Sequence, residues 1–248
     1  MAETNQLGLF SGAADIEKVS CHPRDSDDLY LEEALDPKLH FGTSSWNFSG
    51  WRGILYGRDA QVKELSRHGL KAYAGRRWLK SVGVDRGYYN PVPEADWELY
   101  RDQVPAHFRF MVKALQRVLM PCLDERGHPS TQGHSENPLF LDAQYITDAL
   151  IRPAHAVLGE LLGPILFQFA PMKPDALGGS QSFCERLSRF LGALPTTSTY
   201  VVELRTPGLF NRRYLKVLSD HGASHSAVIH PAMTSFERQV RALQAEGA

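Results

Sequence analysis

Two hydrophobic rhythms alternate along this chain, and that alternation limits the folds open to it more than any single motif does. Short apolar runs recur at residues 38–45, 79–85, 108–114, 164–171, 199–207 and 223–231. Between them lie longer stretches, 61–74, 93–104, 140–162, 180–194 and 211–222, that repeat their apolar residues with the period of an amphipathic helix. Short apolar runs read as buried strands. Strand, helix, strand, repeated, requires parallel pairing with helical crossovers, because parallel neighbours cannot be joined by a tight hairpin. Pro93 followed by Glu94, Asp96 and Glu98 marks a helix start. Gly222 marks a helix end. No internal sequence repeat underlies the rhythm.

Residues 1–37 lack this periodicity and read as a mobile tail or a strap, with one or two helical turns in LYLEEAL; the domain itself spans 38–248. Residues 116–139 form a long polar connection after the third strand. Connections of that length in compact domains are usually functional or disordered. Hydrophobic residues make up 43% of the 248, enough for one full core. With 27 basic and 28 acidic residues there is no overall field to capture nucleic acid or a membrane surface. Cys21, Cys122 and Cys184 are far apart and odd in number, which argues for reduced thiols in a cytoplasm. The first 20 residues have no basic, apolar signal-peptide pattern, and no run is long enough for a membrane helix.

Buried parallel strands should be almost wholly apolar, and these are not. Asp85, Lys113, Gln168 and Glu203 stand at or near the carboxyl ends of four runs, Arg205 follows Glu203 on the same face, and His230 takes the corresponding place in the last run. The carboxyl end of the strands is where α/β folds place their active sites. Burying such groups without partners costs several kcal/mol each. They either pair into a structural network or hold a ligand. In the second reading Glu203 is general acid or base positioned by Arg205, and Lys113 and Arg205 hold an anionic group. Asp85, Gln168 and His230 complete the rim. Ser44 and Trp46, in the glycine-rich loop after the first strand, and Tyr88 are candidate substrate contacts, whereas Trp51 reads as packing.

Other signals are weaker. His128 and His134 in the long loop, and His221, His225 and His230 near the end, lack the spacing of a metal site, so the sequence assigns no metal or cofactor. Arg76, Arg77 and Lys80 around Trp78 read as a solvated helix end, with a phosphate contact as the alternative. No glycine-rich phosphate loop is present, and the LGGS of residues 177–180 reads as a linker turn.

The ordered motifs resemble the YecE-like family, catalogued as a domain of unknown function with a TIM-barrel-like fold. The G-T-S-x-W and W-x-G-x-x-Y opening of that family corresponds to Gly42, Thr43, Ser44, Trp46, Trp51, Gly53 and Tyr56. Its aromatic pair after the second strand corresponds to Tyr88 and Tyr89, and its F-x-V-K to Phe110, Val112 and Lys113. Its G-P-x-L-F-Q-x-x-P corresponds to Gly163, Pro164, Leu166, Phe167, Gln168 and Pro171; its V-E-x-R-x-P to Val202, Glu203, Arg205 and Pro207. The resemblance implies a parallel (β/α) TIM-like barrel with a pocket at its rim. Three departures stand out. The family's acid before the aromatic pair is Gly83 here, with Asp85 in place of its Asn. The Thr-His that follows the third-strand Lys is absent. The last two barrel units are not evident after His230, which implies a barrel incomplete or divergent at its C-terminus, or one completed by the N-terminal segment.

Residues Gln6, Leu7, Leu9 and Phe10, within QLGLF, resemble the peptide by which bacterial replication and repair proteins dock on the sliding clamp. Leu7, Leu9 and Phe10 suit apolar pockets and Gln6 a hydrogen-bonded one. Two functions follow. One is a hydrolase acting at the rim on a phosphorylated or sugar-containing substrate. The other is a clamp-tethered DNA maintenance protein, a nuclease or a non-catalytic accessory.

Overall fold

A computed structural model describes residues 19–133, 135–173 and 177–246 of the chain. After helix α1 (Ser26–Ala34), strand β1 (Phe41–Thr43) leads through a short loop to α2 (Val62–His68) and α3 (Leu70–Ala74). Strand β2 (Leu79–Val84) is followed by α4 (Glu94–Arg101), and then by β3 (Arg109–Lys113). The long connection holds a small antiparallel sheet of β4 (Cys122–Leu123), β5 (Pro129–Ser130) and β6 (Ser135–Glu136). Helices α5 (Ala143–Ile146) and α6 (Arg152–Leu158), joined by one π-helical segment, precede β7 (Leu162–Phe169). Then come α7 (Gly179–Gly192), β8 (Tyr200–Leu204), α8 (Arg212–Asp220), β9 (Ser224–His225) and α9 (Phe236–Glu246).

Strands β1, β2, β3, β7, β8 and β9 form one sheet in that order, and every neighbouring pair is parallel. The sheet curls into part of a TIM-like barrel, with β1 and β9 at its edges. Aromatic contacts show which face of each strand meets the helices. Phe167 packs against Phe190 and Phe169 against Phe183, both on α7. Phe110 packs against Tyr100 on α4. Alternation along a strand then turns Gln168, Met111 and Lys113 to the opposite, inner face.

Three regions differ from the sequence expectation. The last apolar run is a strand for only two residues, and His230 lies five residues beyond it. The polar connection is not loose: the buried Asn137 side chain donates to the carbonyls of Arg117 and Met120, both at 2.7 Å, and holds its two ends together. The stretch after His230 forms α9, anchored by Gln239. That side chain is fully buried and donates to the carbonyls of Val228 and Thr234, each at 2.8 Å. Among the described residues no helix is long and apolar enough to cross a membrane.

Residues 19–35 are bound to the sheet's amino end. Asp25 caps α1 by accepting from the backbone N–H of Asp27 and Asp28, and Asp28 returns a bond to the Asp25 N–H. Asp28 also accepts from the Trp78 indole at 2.8 Å, and its Oδ2 lies 2.8 Å from Nη1 of Arg76. Arg76 is therefore not a solvated helix end: only 2% of it is exposed, and it also donates to the carbonyls of Ile54 and Pro23. Lys80 is turned to the Pro37 carbonyl. The Arg76, Arg77 and Lys80 set is consequently not assembled around an anion. Asp28→Ala strips Arg76 of its counter-charge and is expected to cost about 3 kcal/mol, read as a lower urea midpoint at unchanged m-value.

Candidate active site

The parallel register of β7 and β8 sets Gln168 beside Glu203. Gln168 Nε2 donates to Glu203 Oε1 at 2.8 Å, and Arg205 Nε donates to the same oxygen at 2.9 Å. Glu203 is only 6% exposed. Among the described residues no hydrogen bond reaches its second oxygen, Oε2. A buried carboxylate is tolerated only when it is paired and hydrogen-bonded, and these two neighbours do both.

A second group stands beside the first. Lys113 Nζ, at the end of β3, lies 3.6 Å from Asp85 Oδ2 and 5.1 Å from the centroid of the Tyr88 ring. Tyr88 and Tyr89 meet edge to face at 5.1 Å. Burial pushes the Tyr88 hydroxyl above its ordinary pKa, the neighbouring Tyr89 adds to this, and the charge of Arg205 opposes it. Arg205, the partner of Glu203, therefore acts by its charge on the ring that Lys113 faces.

One further residue, paired in register with Val202 next to Glu203, is weighed in the sequence only as a metal ligand. His225, at the end of β9, is buried; its Nδ1 is 2.9 Å from the Tyr214 hydroxyl and its Nε2 3.2 Å from Gln239 Oε1. Burial lowers its pKa, while the bond to Gln239, the Val202 carbonyl and the charge of Glu203 work the other way. These partners suit the neutral ring, with Nε2–H donating to Gln239 and Nδ1 accepting from Tyr214. His230, by contrast, takes the Ala232 N–H on its own Nδ1 in a turn.

Trp46 is 6% exposed; its indole donates to the Leu65 carbonyl at 3.1 Å and its ring meets Tyr100 edge-on at 4.9 Å. It is chiefly a core residue, with one edge on a cleft of about 670 Å³ between α2 and α4, over the ends of β1 and β2. Asp85 lines that cleft as well; Glu203, Gln168 and Arg205 do not. Ser44 is exposed where β1 ends. Trp51 packs between Phe48 and Tyr73. The structure therefore divides the rim residues into a Glu203 group with Gln168 and Arg205, a Lys113 group with Asp85 and Tyr88, and a cleft that Asp85 also lines. Among the described residues no three His, Cys, Asp or Glu side chains are placed to hold a metal ion. His134 and the Gln6–Phe10 peptide lie outside the described residues.

A model of the family described as "protein of unknown function DUF72" matches residues 40–245. The chain belongs to the DUF72 family. A DUF72 family protein from Thermotoga maritima aligns at 19% identity with a TM-score of 0.55, over 77% of this chain and 66% of that one. One from Enterococcus faecalis aligns at 18% identity with a TM-score of 0.48, over 77% of this chain and 60% of that one. The alignment thus spans less than two thirds of either relative's length. The Thermotoga likeness establishes the shared fold. No curated protein matches the chain.

At Gly83 the structure leaves no room for a side chain. A Cβ at Gly83 would stand 2.9 Å from the Ser44 carbonyl oxygen and 3.1 Å from Ser44 Cα. The end of β1 occupies the space that a side chain at this position would need. Gly83→Ala forces backbone apart and is expected to cost about 1–3 kcal/mol, measured by denaturant unfolding.

Proposed function

We propose that this DUF72 barrel is a hydrolase acting at the carboxyl-end rim on a small phosphorylated or sugar-containing substrate, with Glu203 as general base. The observation that carries the reading is the arrangement around Glu203. Two donors hold Oε1 and leave Oε2 as the atom that can take a proton. An ionised carboxylate with one oxygen free acts as base or nucleophile. Taking a proton from water at Oε2 generates the attacking hydroxide, while Arg205 and Lys113 supply positive charge where the reacting group becomes negative. Gln168 keeps the carboxyl plane from rotating. Positioned general bases contribute about 10²–10⁴-fold. Glu203→Gln keeps the shape and removes the base, so hydrolysis of a chromogenic phosphate or glycoside panel is expected to fall at least about a hundredfold. A fully active Glu203→Gln protein overturns the assignment.

A second reading rests on the Gln6–Phe10 peptide, which favours tethering to a bacterial sliding clamp. A labelled peptide of residues 1–20 is expected to bind a bacterial clamp at micromolar concentration in fluorescence anisotropy, and the Phe10→Ala peptide to lose that binding. Absence of binding at tens of micromolar removes this reading.

A further inference from the structure

The cleft between α2 and α4 contains charge that the Glu203 chemistry leaves unused. Lys63 and Arg67 stand one helical turn apart on α2 and both line it. Across the cleft Arg86 pairs with Asp96 of α4 at 2.8 Å, and its Nη1 reaches the Tyr100 hydroxyl at 3.4 Å. The other acid of the lining, Asp85, lies against Lys113. Each cleft carboxylate is thus matched by a cation other than Lys63 and Arg67. Those two have no ion-pair partner among the described residues.

The remaining walls suit an anion that carries a ring. Gly83 puts bare backbone into the lining at a place where no side chain fits, so no charge there repels a negative group. Asn47 Nδ2 donates to Ser66 Oγ at 2.8 Å, which ties the loop after β1 to α2. Tyr89 lines the cleft yet is 64% exposed, resting only edge-on against Tyr88. A large, exposed aromatic lining the same cleft as two uncompensated cations is an arrangement for stacking and charge pairing together.

We infer that this cleft binds a small phosphomonoester, Lys63 and Arg67 holding the phosphate and Tyr89 covering the attached sugar or base. The inference builds on the hydrolase reading by giving its substrate a docking site on the same rim, where Asp85 of the cleft pairs with Lys113 and Arg205 pairs with Glu203. Its test is a binding test, so the two stand or fall separately.

The experiment is calorimetric titration of the full chain at low ionic strength with inorganic phosphate, a hexose monophosphate, the unphosphorylated hexose and a nucleoside monophosphate. The organic phosphates are expected to bind, the unphosphorylated sugar not to, and the tighter of the two organic phosphates identifies the ring. Lys63→Glu/Arg67→Glu is expected to weaken phosphate binding at least about tenfold, a contribution of about 1.4 kcal/mol. Both side chains are exposed, and circular dichroism checks the fold; Arg67→Gln alone serves if the double variant misfolds. Tyr89→Ala is expected to weaken the organic phosphates severalfold and leave inorganic phosphate unchanged. Equal affinity of wild type and double variant, or equal affinity for sugar and sugar phosphate, overturns the inference. Phosphate binding that needs Lys63 and Arg67 without any hydrolysis keeps this inference and removes the hydrolase. Glu203-dependent hydrolysis that the double variant leaves untouched, without such binding, does the reverse.

Discussion

Parallel pairing between every neighbouring strand of the main sheet governs the rest of this molecule. It forces each strand to be followed by a return over the sheet's outer face, and so brings all the carboxyl ends out on one side. It also sets Gln168 directly beside Glu203, in a register that no local signal specifies. Once Phe167 and Phe169 are committed to α7, Gln168 has only the inner face left, and the strand-end polar residues converge there.

The two ends of the sheet do different physical work. At the amino end, Asp28 and Arg76 form a nearly water-free ion pair that fastens α1 to the turn before β2. Such a pair holds a particular arrangement more than it adds net stability, because desolvation offsets most of the attraction. At the carboxyl end the charges are less enclosed. Asp85 is about half exposed and Lys113 much less so, which leaves the rim open to a ligand while its side chains stay oriented. Stability concentrated at the bottom face and chemistry at the top is the usual division of labour in α/β barrels.

Membership in DUF72 accounts for the fold and for the ordered motifs, and this chain's own features lie where it departs from the pattern. Gly83 lets the end of β1 approach β2 closely and leaves backbone in the lining of the α2–α4 cleft. At the other edge of the sheet, β9 is two residues long, and the chain beyond it is held by Gln239 rather than by further pairing. His225 is bonded to that anchor through Gln239 and to α8 through Tyr214, and the charge of Glu203 on the neighbouring strand acts on its ring.

The residues alone determined the order and type of the main elements, because strand and helix periods differ and each is read within a few turns of chain. They also determined that polar side chains gather at the strands' carboxyl ends, since Lys113, Gln168 and Glu203 interrupt otherwise apolar runs. Tertiary structure decided what those side chains do. Glu203 is held by Gln168, 35 residues away, and by Arg205, while Lys113 goes to Asp85. It placed His225, not His230, at the end of the last strand, on partners supplied by α8 and by a helix the alternation did not announce. It buried Arg76, which looks solvated in sequence, and set Lys63 and Arg67 across a cleft from Tyr89. Periodicity is local and survives in the sequence. Pairing between distant residues depends on register and on which groups lose their water, and these exist only once the sheet has closed around its core.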